Sequence, residues 1–124
     1  GAQVKRRPKM ASKFKDKAHM AAEAFLKRKD YELIDLHPEG EAFDFVAKSS
    51  DGALVFIALA ARAASDMEPG LPKEAFDREA MERAAARWLS LHDFEGGTIQ
   101  FDSIALVILN DRRALLRHHI NVLG

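Results

Sequence analysis

Apolar residues recur at helical spacing in two segments of the chain, and this pattern predicts two helices. The first covers residues 10–29, and its basic end suits the negative carboxyl end of a helix dipole. The second covers residues 72–91 and opens with proline, a residue favoured at the first helical position. The first apolar stripe is Met10, Phe14, Ala18, Ala21, Ala22, Phe25 and Leu26, and the second is Phe76, Ala80, Met81, Ala84, Ala85, Trp88 and Leu89.

Two short strands are predicted after the first helix. Residues 31–36 are rich in side chains that favour β-structure. Residues 41–47 alternate, which places Phe43 and Phe45 on one face of the strand and Asp44 and Val46 on the other. A turn at residues 38–40 separates the two strands, and residues 49–52 form a hairpin turn into the next one.

Three further segments are predicted to complete the sheet. Residues 53–60 are apolar on both faces, which is typical of a central strand. Residues 98–109 form a second central strand, and residues 115–122 a short final one, with Gly96 and Gly97 in the turn before them. The order α-β-β-β-α-β-β predicts one α/β domain over residues 10–124, with a mixed central sheet flanked by helices. Residues 1–9 are predicted to be a basic, flexible lead-in.

Composition narrows the function classes by exclusion. The chain of 124 residues has no cysteine, which excludes a disulfide framework, a thiolate metal site and a cysteine nucleophile. Its longest apolar run, residues 53–61, is too short to span a bilayer, so no membrane partner is expected. The basic N-terminus is not followed by the apolar segment of a secretory signal, and we therefore expect a cytoplasmic protein.

The charge is balanced overall but divided unequally along the chain. Residues 1–29 carry ten basic and two acidic side chains, a net charge of +8, whereas residues 30–124 carry a net charge of −8. A basic segment of this kind attracts phosphates through counterion release. It could equally fold back on the acidic body or remain a solvated tail, and the sequence leaves these alternatives open.

Six short strings, taken in order and spacing over about residues 14–123, resemble the YraN family of small bacterial proteins. The strings are Ala22, Phe25 and Leu26; Ala42, Phe43 and Asp44; residues 56–62, which read Phe-Ile-Ala-Leu-Ala-Ala-Arg; Ala85, Trp88 and Leu89; Gln100, Phe101 and Asp102; and His118, Ile120 and Asn121. The resemblance implies a restriction-endonuclease-like fold. Nucleases of that fold hold Mg²⁺ with carboxylates, and a lysine beside the metal assists the attacking water.

Most of the residues that this chemistry needs are replaced in the chain. The resemblance aligns Asp44 with the family's acidic ligand, but it aligns Ala58 and Ala60 with the glutamate and lysine of the next strand. His19 stands where the first helix should carry a glutamate. No residue is therefore assigned a catalytic role, and no cofactor is expected. Mg²⁺ or Mn²⁺ would be held weakly by Asp44 and His19, and only if residual nuclease activity exists.

We therefore interpret the chain as a catalytically degenerate nuclease relative that binds DNA or RNA. The candidate phosphate contacts are Arg62, Arg78, Lys13, Lys15 and Lys17. Two alternatives stay open. One is an active nuclease in which residues of the second helix, such as Glu79 or Glu82, replace the lost ligands, and the other is a module that binds a protein partner. The oligomeric state is not predicted.

Overall fold

A computed structural model describes residues 12–38, 42–65, 70–72 and 76–122, so the predicted lead-in of residues 1–9 lies outside the described residues. The described chain contains two helices and five strands, in the predicted order. Neither helix is long and apolar enough to cross a membrane. The elements are α1 (Ser12–Arg28), β1 (Glu32–Asp35), β2 (Phe45–Lys48), β3 (Leu54–Ala63), α2 (Arg78–Leu91), β4 (Ile99–Asn110) and β5 (Arg113–His119).

The five strands form one mixed sheet in the order β1-β2-β3-β4-β5. The central pair, β3 and β4, is parallel, and the other neighbouring strands pair in antiparallel fashion. Parallel neighbours need a long crossover connection, and the segment that contains α2 provides it here. The prediction of an α/β chain with a mixed central sheet is confirmed.

The two helices cover opposite faces of the sheet. On one face, Val55, Ile57 and Leu59 of β3 pack with buried residues of α1. On the other face, alternate residues of β3 such as Phe56 pack with Met81 and other residues of α2. Because β3 is buried on both sides, it needs apolar residues at successive positions, which explains the unbroken apolar run of the sequence.

The second helix begins later than predicted. Residues 72–91 were expected to be helical, but α2 starts at Arg78, and Pro72 lies outside it. The Asp77 carboxylate accepts a hydrogen bond of 3.1 Å from the Ala80 amide, so Asp77 caps the helix. A capping aspartate satisfies an amide that has no partner within the helix, and this sets the start more strongly than the proline does.

The predicted faces of β2 are wrong before Phe45. Pairing with β3 starts at Phe45, opposite Ile57, rather than at residue 41. Phe45 packs on the α1 face, as predicted for one side of the strand, but Phe43 packs on the α2 face. Alternation with a period of two holds only within an extended strand, and Phe43 and Asp44 precede it.

The hairpin turn between β2 and β3 is confirmed. The Ser49 amide donates to the Ala53 carbonyl at 2.9 Å, and the Gly52 amide donates to the Ser49 carbonyl at 3.0 Å. Gly52 has a φ of +90°, a backbone conformation that glycine adopts without steric cost. At the other end of the sheet, β5 spans Arg113–His119 rather than the predicted residues 115–122.

Candidate functional site

The structure brings together two of the positions that the nuclease resemblance singled out. Asp44 lies directly before β2, and His19 lies on the buried side of α1. Nε2 of His19 is 3.6 Å from Oδ1 of Asp44, a distance longer than a good hydrogen bond. The His19 ring also packs against Phe45, with 4.8 Å between ring centroids. These contacts bury both polar side chains at the edge of the α1 core.

The Asp44 carboxylate has a structural contact with the backbone of β3. Its Oδ2 accepts a hydrogen bond of 2.7 Å from the Leu59 amide. The Asp44 amide in turn donates to the Ile57 carbonyl at 2.8 Å. Asp44 thus extends the hydrogen bonding between β2 and β3 beyond Phe45. Its side-chain carboxylate accepts the bond from β3 that a backbone carbonyl accepts within a regular strand pair. This role requires no metal.

The two alanines of the motif lie on β3. Ala58 is buried in the core on the α2 face, together with Met81 and Trp88, whereas the helix that carries His19 covers the opposite face. Ala60 is half-buried. A longer side chain at position 58 would therefore meet α2 before it reached His19.

The residues around Asp44 do not fit a magnesium ion. Mg²⁺ favours several oxygen ligands in octahedral geometry, but His19 and Asp44 offer one imidazole and one carboxylate. Over the described ranges, no group of three or more histidine, cysteine, aspartate or glutamate side chains is arranged to hold a metal. Glu79 and Glu82, the candidates for relocated ligands, are exposed on α2, and Glu82 pairs with Arg78.

Two of the predicted phosphate contacts are engaged with their own neighbourhood. Nε of Arg62 donates to the Gly70 carbonyl at 2.9 Å, Nη2 donates to the same oxygen, and Nη1 donates to the Ala63 carbonyl. The guanidinium thus holds the chain after β3. Arg78 forms an exposed ion pair of 2.8 Å with Glu82, one helical turn away. Neither arginine lines the groove or the cleft described below.

Of the three lysines selected on α1, Lys17 lines a groove with cations that the sequence analysis did not select, whereas Lys13 and Lys15 do not line it. Lys13 and Lys15 are exposed on the first turns of the helix, and Nζ of Lys17 is 2.7 Å from Oδ1 of Asp111 in the turn between β4 and β5. This contact shows that the amino end of α1 lies beside the carboxyl end of β4. The helix and the strand therefore run in opposite directions.

A groove of about 790 Å³ lies between α1 and the hairpin of β4 and β5. Apolar side chains such as Phe25 and Leu116 line it together with four cations, Lys17, Arg28, Arg112 and Arg113. Of the described residues in this lining, Asp111 alone is acidic, and Lys17 pairs with it. Arg28, Arg112 and Arg113 were missed because only the packing of α1 on the sheet makes them line the same groove.

A second polar cluster surrounds Asp102, which is fully buried within β4. Oδ2 lies 2.8 Å from the Tyr31 hydroxyl and 2.8 Å from Nε2 of His118. Oδ1 accepts hydrogen bonds of 2.9 Å from the Gln100 amide group and 2.8 Å from the Asn121 backbone amide. A carboxylate can accept about four hydrogen bonds, and four donors surround this one. Its buried negative charge is therefore fully hydrogen-bonded within the protein.

The cluster shifts two ionisation equilibria. Burial raises the pKa of the Asp102 carboxyl, but its four hydrogen bonds outweigh this effect, and the pKa lies below its usual value. Burial also raises the pKa of the Tyr31 phenol well above its usual value of 10.0, and the hydrogen bond to the Asp102 carboxylate adds to that shift. The cluster therefore combines an ionised aspartate with a protonated tyrosine.

The physical signal for this cluster in the sequence was an aspartate within a largely apolar central strand, and two of the strings quoted for the resemblance also contained Gln100, Asp102, His118 and Asn121. A buried carboxylate requires donors, and three of the four come from the segment after α1, from β5 and from the chain beyond it, whereas Gln100 is on β4 itself. Their identity depends on tertiary packing. The sequence analysis selected none of these residues as a site.

The comparisons with known proteins do not add a family to this geometry. The chain matches no protein-family model, and it has no significant match among curated proteins.

Proposed function

We propose that this chain is a restriction-endonuclease-like domain that has lost catalysis and binds single-stranded nucleic acid. The observation that carries the proposal is the convergence of Lys17, Arg28, Arg112 and Arg113 on one groove between α1 and β5. These cations come from two distant segments of the sequence, α1 and the start of β5 with the turn before it, and the fold collects them at one surface.

The layered arrangement of the fold and the contact of Asp44 are what support this proposal from the resemblance to YraN proteins, whereas Ala58 faces α2, away from His19. The mixed sheet with a parallel central pair and one helix on each face is compatible with a restriction-endonuclease-like topology. Alanine at positions 58 and 60 supplies neither a metal ligand nor a proton carrier. Asp44 serves the backbone of β3, which gives a reason for an aspartate to remain there without catalysis.

The groove suits a single strand better than a duplex. Its cations can neutralise phosphates, and its apolar floor of side chains such as Phe25 and Leu116 can receive unstacked bases. Bases in a duplex are stacked and would not reach that floor. A partner protein is the alternative, and the salt dependence of binding separates the two because counterion release belongs to the phosphates.

The test is fluorescence anisotropy with a labelled single-stranded DNA and a matching RNA at several salt concentrations. We expect affinity to fall as salt rises, with a logarithmic slope of about −0.7 for each neutralised phosphate. The double variant Arg112→Glu/Arg113→Glu should bind at least about tenfold more weakly. The matched control is Arg83→Glu/Arg87→Glu, which reverses two exposed charges on α2 and should change affinity little.

Two results would contradict the proposal. Equal weakening by both double variants would mean that the groove has no special role, and absence of binding at low salt would favour a protein partner. The same samples, incubated with and without Mn²⁺ and separated on a gel, test the loss of catalysis. We expect intact strands, and metal-dependent cleavage would overturn that part of the proposal.

A further inference from the structure

The basic groove adjoins a second cleft of about 540 Å³ at the other end of α1. Phe25 and Leu116 line both, so the two lie next to each other along α1 and β5. His118, Tyr31 and Gln100 of the Asp102 cluster line the second cleft. The rest of its lining is Lys29, Ser49, Ser50, Asp51 and Ile120.

Asp102 determines which nitrogen of His118 is available to a ligand. An ionised carboxylate can only accept hydrogen bonds, so the 2.8 Å contact with Asp102 places the proton on Nε2. In the neutral ring, Nδ1 then carries a lone pair. Among the described residues, Asp102 is the only hydrogen-bond partner of the His118 imidazole ring. A buried carboxylate that orients one nitrogen of an imidazole leaves the other prepared for a hydrogen bond or a proton.

The surrounding rings hold the imidazole in place. The rings of Phe25 and Tyr31 both meet it edge to face, with centroids 5.5 Å and 5.6 Å away. The side chain of His118 is only 7% exposed, although it lines the cleft. Nζ of Lys29 lies 5.8 Å from the centroid of the Phe25 ring. The cleft thus combines an oriented acceptor, an aromatic wall and a cation.

From this arrangement we infer that the cleft binds one nucleotide, with an N–H group of the base donating to Nδ1 of His118 and the phosphate near Lys29. The base would pack against Phe25 and Ile120, which line the cleft. The inference deepens the proposed function and partly rests on it, because a strand in the basic groove would bring a base to this cleft. A free mononucleotide has the same chemistry, and the experiment distinguishes the two sources.

The first test observes His118 in the unmodified protein by nitrogen NMR of its imidazole ring. The free protein should show the proton on Nε2. Addition of mononucleotides, one for each base, should shift the Nδ1 signal, whereas inorganic phosphate and ribose 5-phosphate should not. If neither a mononucleotide nor an oligonucleotide shifts Nδ1, the inference is wrong.

The second test uses a substitution at the edge of the cleft that leaves the Asp102 cluster intact. Ile120 is 62% exposed, and Ile120→Glu would repel a phosphate and remove an apolar contact. We expect at least about a tenfold loss of nucleotide affinity. Leu91→Glu is the matched control, because Leu91 is 74% exposed on α2 and lies outside the lining of both clefts. Equal losses in the two variants would also overturn the inference.

The outcomes separate this inference from the proposed function. Salt-dependent strand binding without any shift of His118 would overturn the nucleotide cleft and leave the proposed function standing. A shift with mononucleotides but no strand binding would overturn the proposed function and assign the cleft to a free nucleotide. A shift with both mononucleotide and oligonucleotide supports a base of the bound strand.

Discussion

Nε2 of His118 lies 2.8 Å from Oδ2 of Asp102, and the two side chains join β5 to the centre of the sheet. The Tyr31 hydroxyl donates to the same carboxylate oxygen, so the segment after α1 is attached at the same point. Asp102 therefore connects an edge strand, a central strand and the end of a helix. A single buried charge organises the part of the fold that forms the proposed nucleotide cleft.

Replacement of Asp102 by alanine should destabilise the protein strongly. The variant leaves Tyr31, His118 and Gln100 without the acceptor that they share, and loss of one partner in a buried charged network costs about 3–5 kcal/mol. Urea unfolding, followed by the fluorescence of the single tryptophan, measures the change in the free energy of unfolding.

Asp111→Ala is the matched control for that substitution. Asp111 pairs with Lys17, but its side chain is 83% exposed, and an exposed ion pair contributes little to stability. We expect no measurable change in the urea midpoint of this variant. Similar midpoints for Asp102→Ala and Asp111→Ala would show that the buried network does not support the fold.

The ionisation of Tyr31 should depend on the folded state. The pKa of its phenol is raised above 10.0 in the folded protein, so the contribution to stability is complete below pH 10.0 and is lost progressively as the pH rises above it. The chain has one tyrosine, and ultraviolet absorbance of the phenolate therefore reports this residue alone. We expect the folded protein to ionise well above pH 10.0 and the urea-unfolded chain near it.

The variant Asp102→Asn provides the control for this titration. It removes the carboxylate that accepts from the Tyr31 hydroxyl and repels the phenolate, so the pKa of Tyr31 should move back towards its usual value. A phenol that ionises near pH 10.0 while circular dichroism still shows native structure would contradict the geometry of the cluster.

The sequence predicted the elements of the fold better than their ends. Helical spacing and the apolar strand at residues 53–60 identified the layers, because burial on one or two faces leaves a direct pattern. The start of α2 was misjudged because the Asp77 cap lies within a segment that the apolar stripe also fits. Phe43 and Phe45 were wrongly predicted to share a face because the sequence contains no signal for the residue at which pairing with β3 starts.

The candidate sites were less predictable for the same physical reason. Lys17 was selected from the charge of the first segment, but its approach to Asp111 and Arg112 depends on the direction of α1 across the sheet. Arg62 was selected as a phosphate contact, whereas the structure engages its guanidinium with the Gly70 carbonyl. A sequence shows which residues are charged, but it does not show which of them lie on the same surface of the fold.

Asp44 gives a direct comparison of a structural and a metal-binding role. Asp44→Ala removes the acceptor that receives the Leu59 amide, and we expect a loss of about 1–3 kcal/mol in the free energy of unfolding. Asp44→Asn keeps a carbonyl oxygen at this position and should lose less. Thermal unfolding with and without Mn²⁺ measures both effects. A large stabilisation of the original protein by Mn²⁺ that both variants abolish would contradict the structural role.

Introduction of the glutamate and lysine that the resemblance implies should fail at one position for a reason of packing. Ala58 is 5% exposed within the α2 core, and Ala58→Glu would bury an unpaired carboxylate beside Met81 and Trp88. Ala60 is half-buried, so the lysine of Ala60→Lys can extend its charge to solvent. We expect Ala58→Glu to lower the melting temperature strongly and Ala60→Lys to change it little. A stable Ala58→Glu/Ala60→Lys protein that binds Mn²⁺ would instead show that the scaffold accommodates the metal site that the resemblance implies.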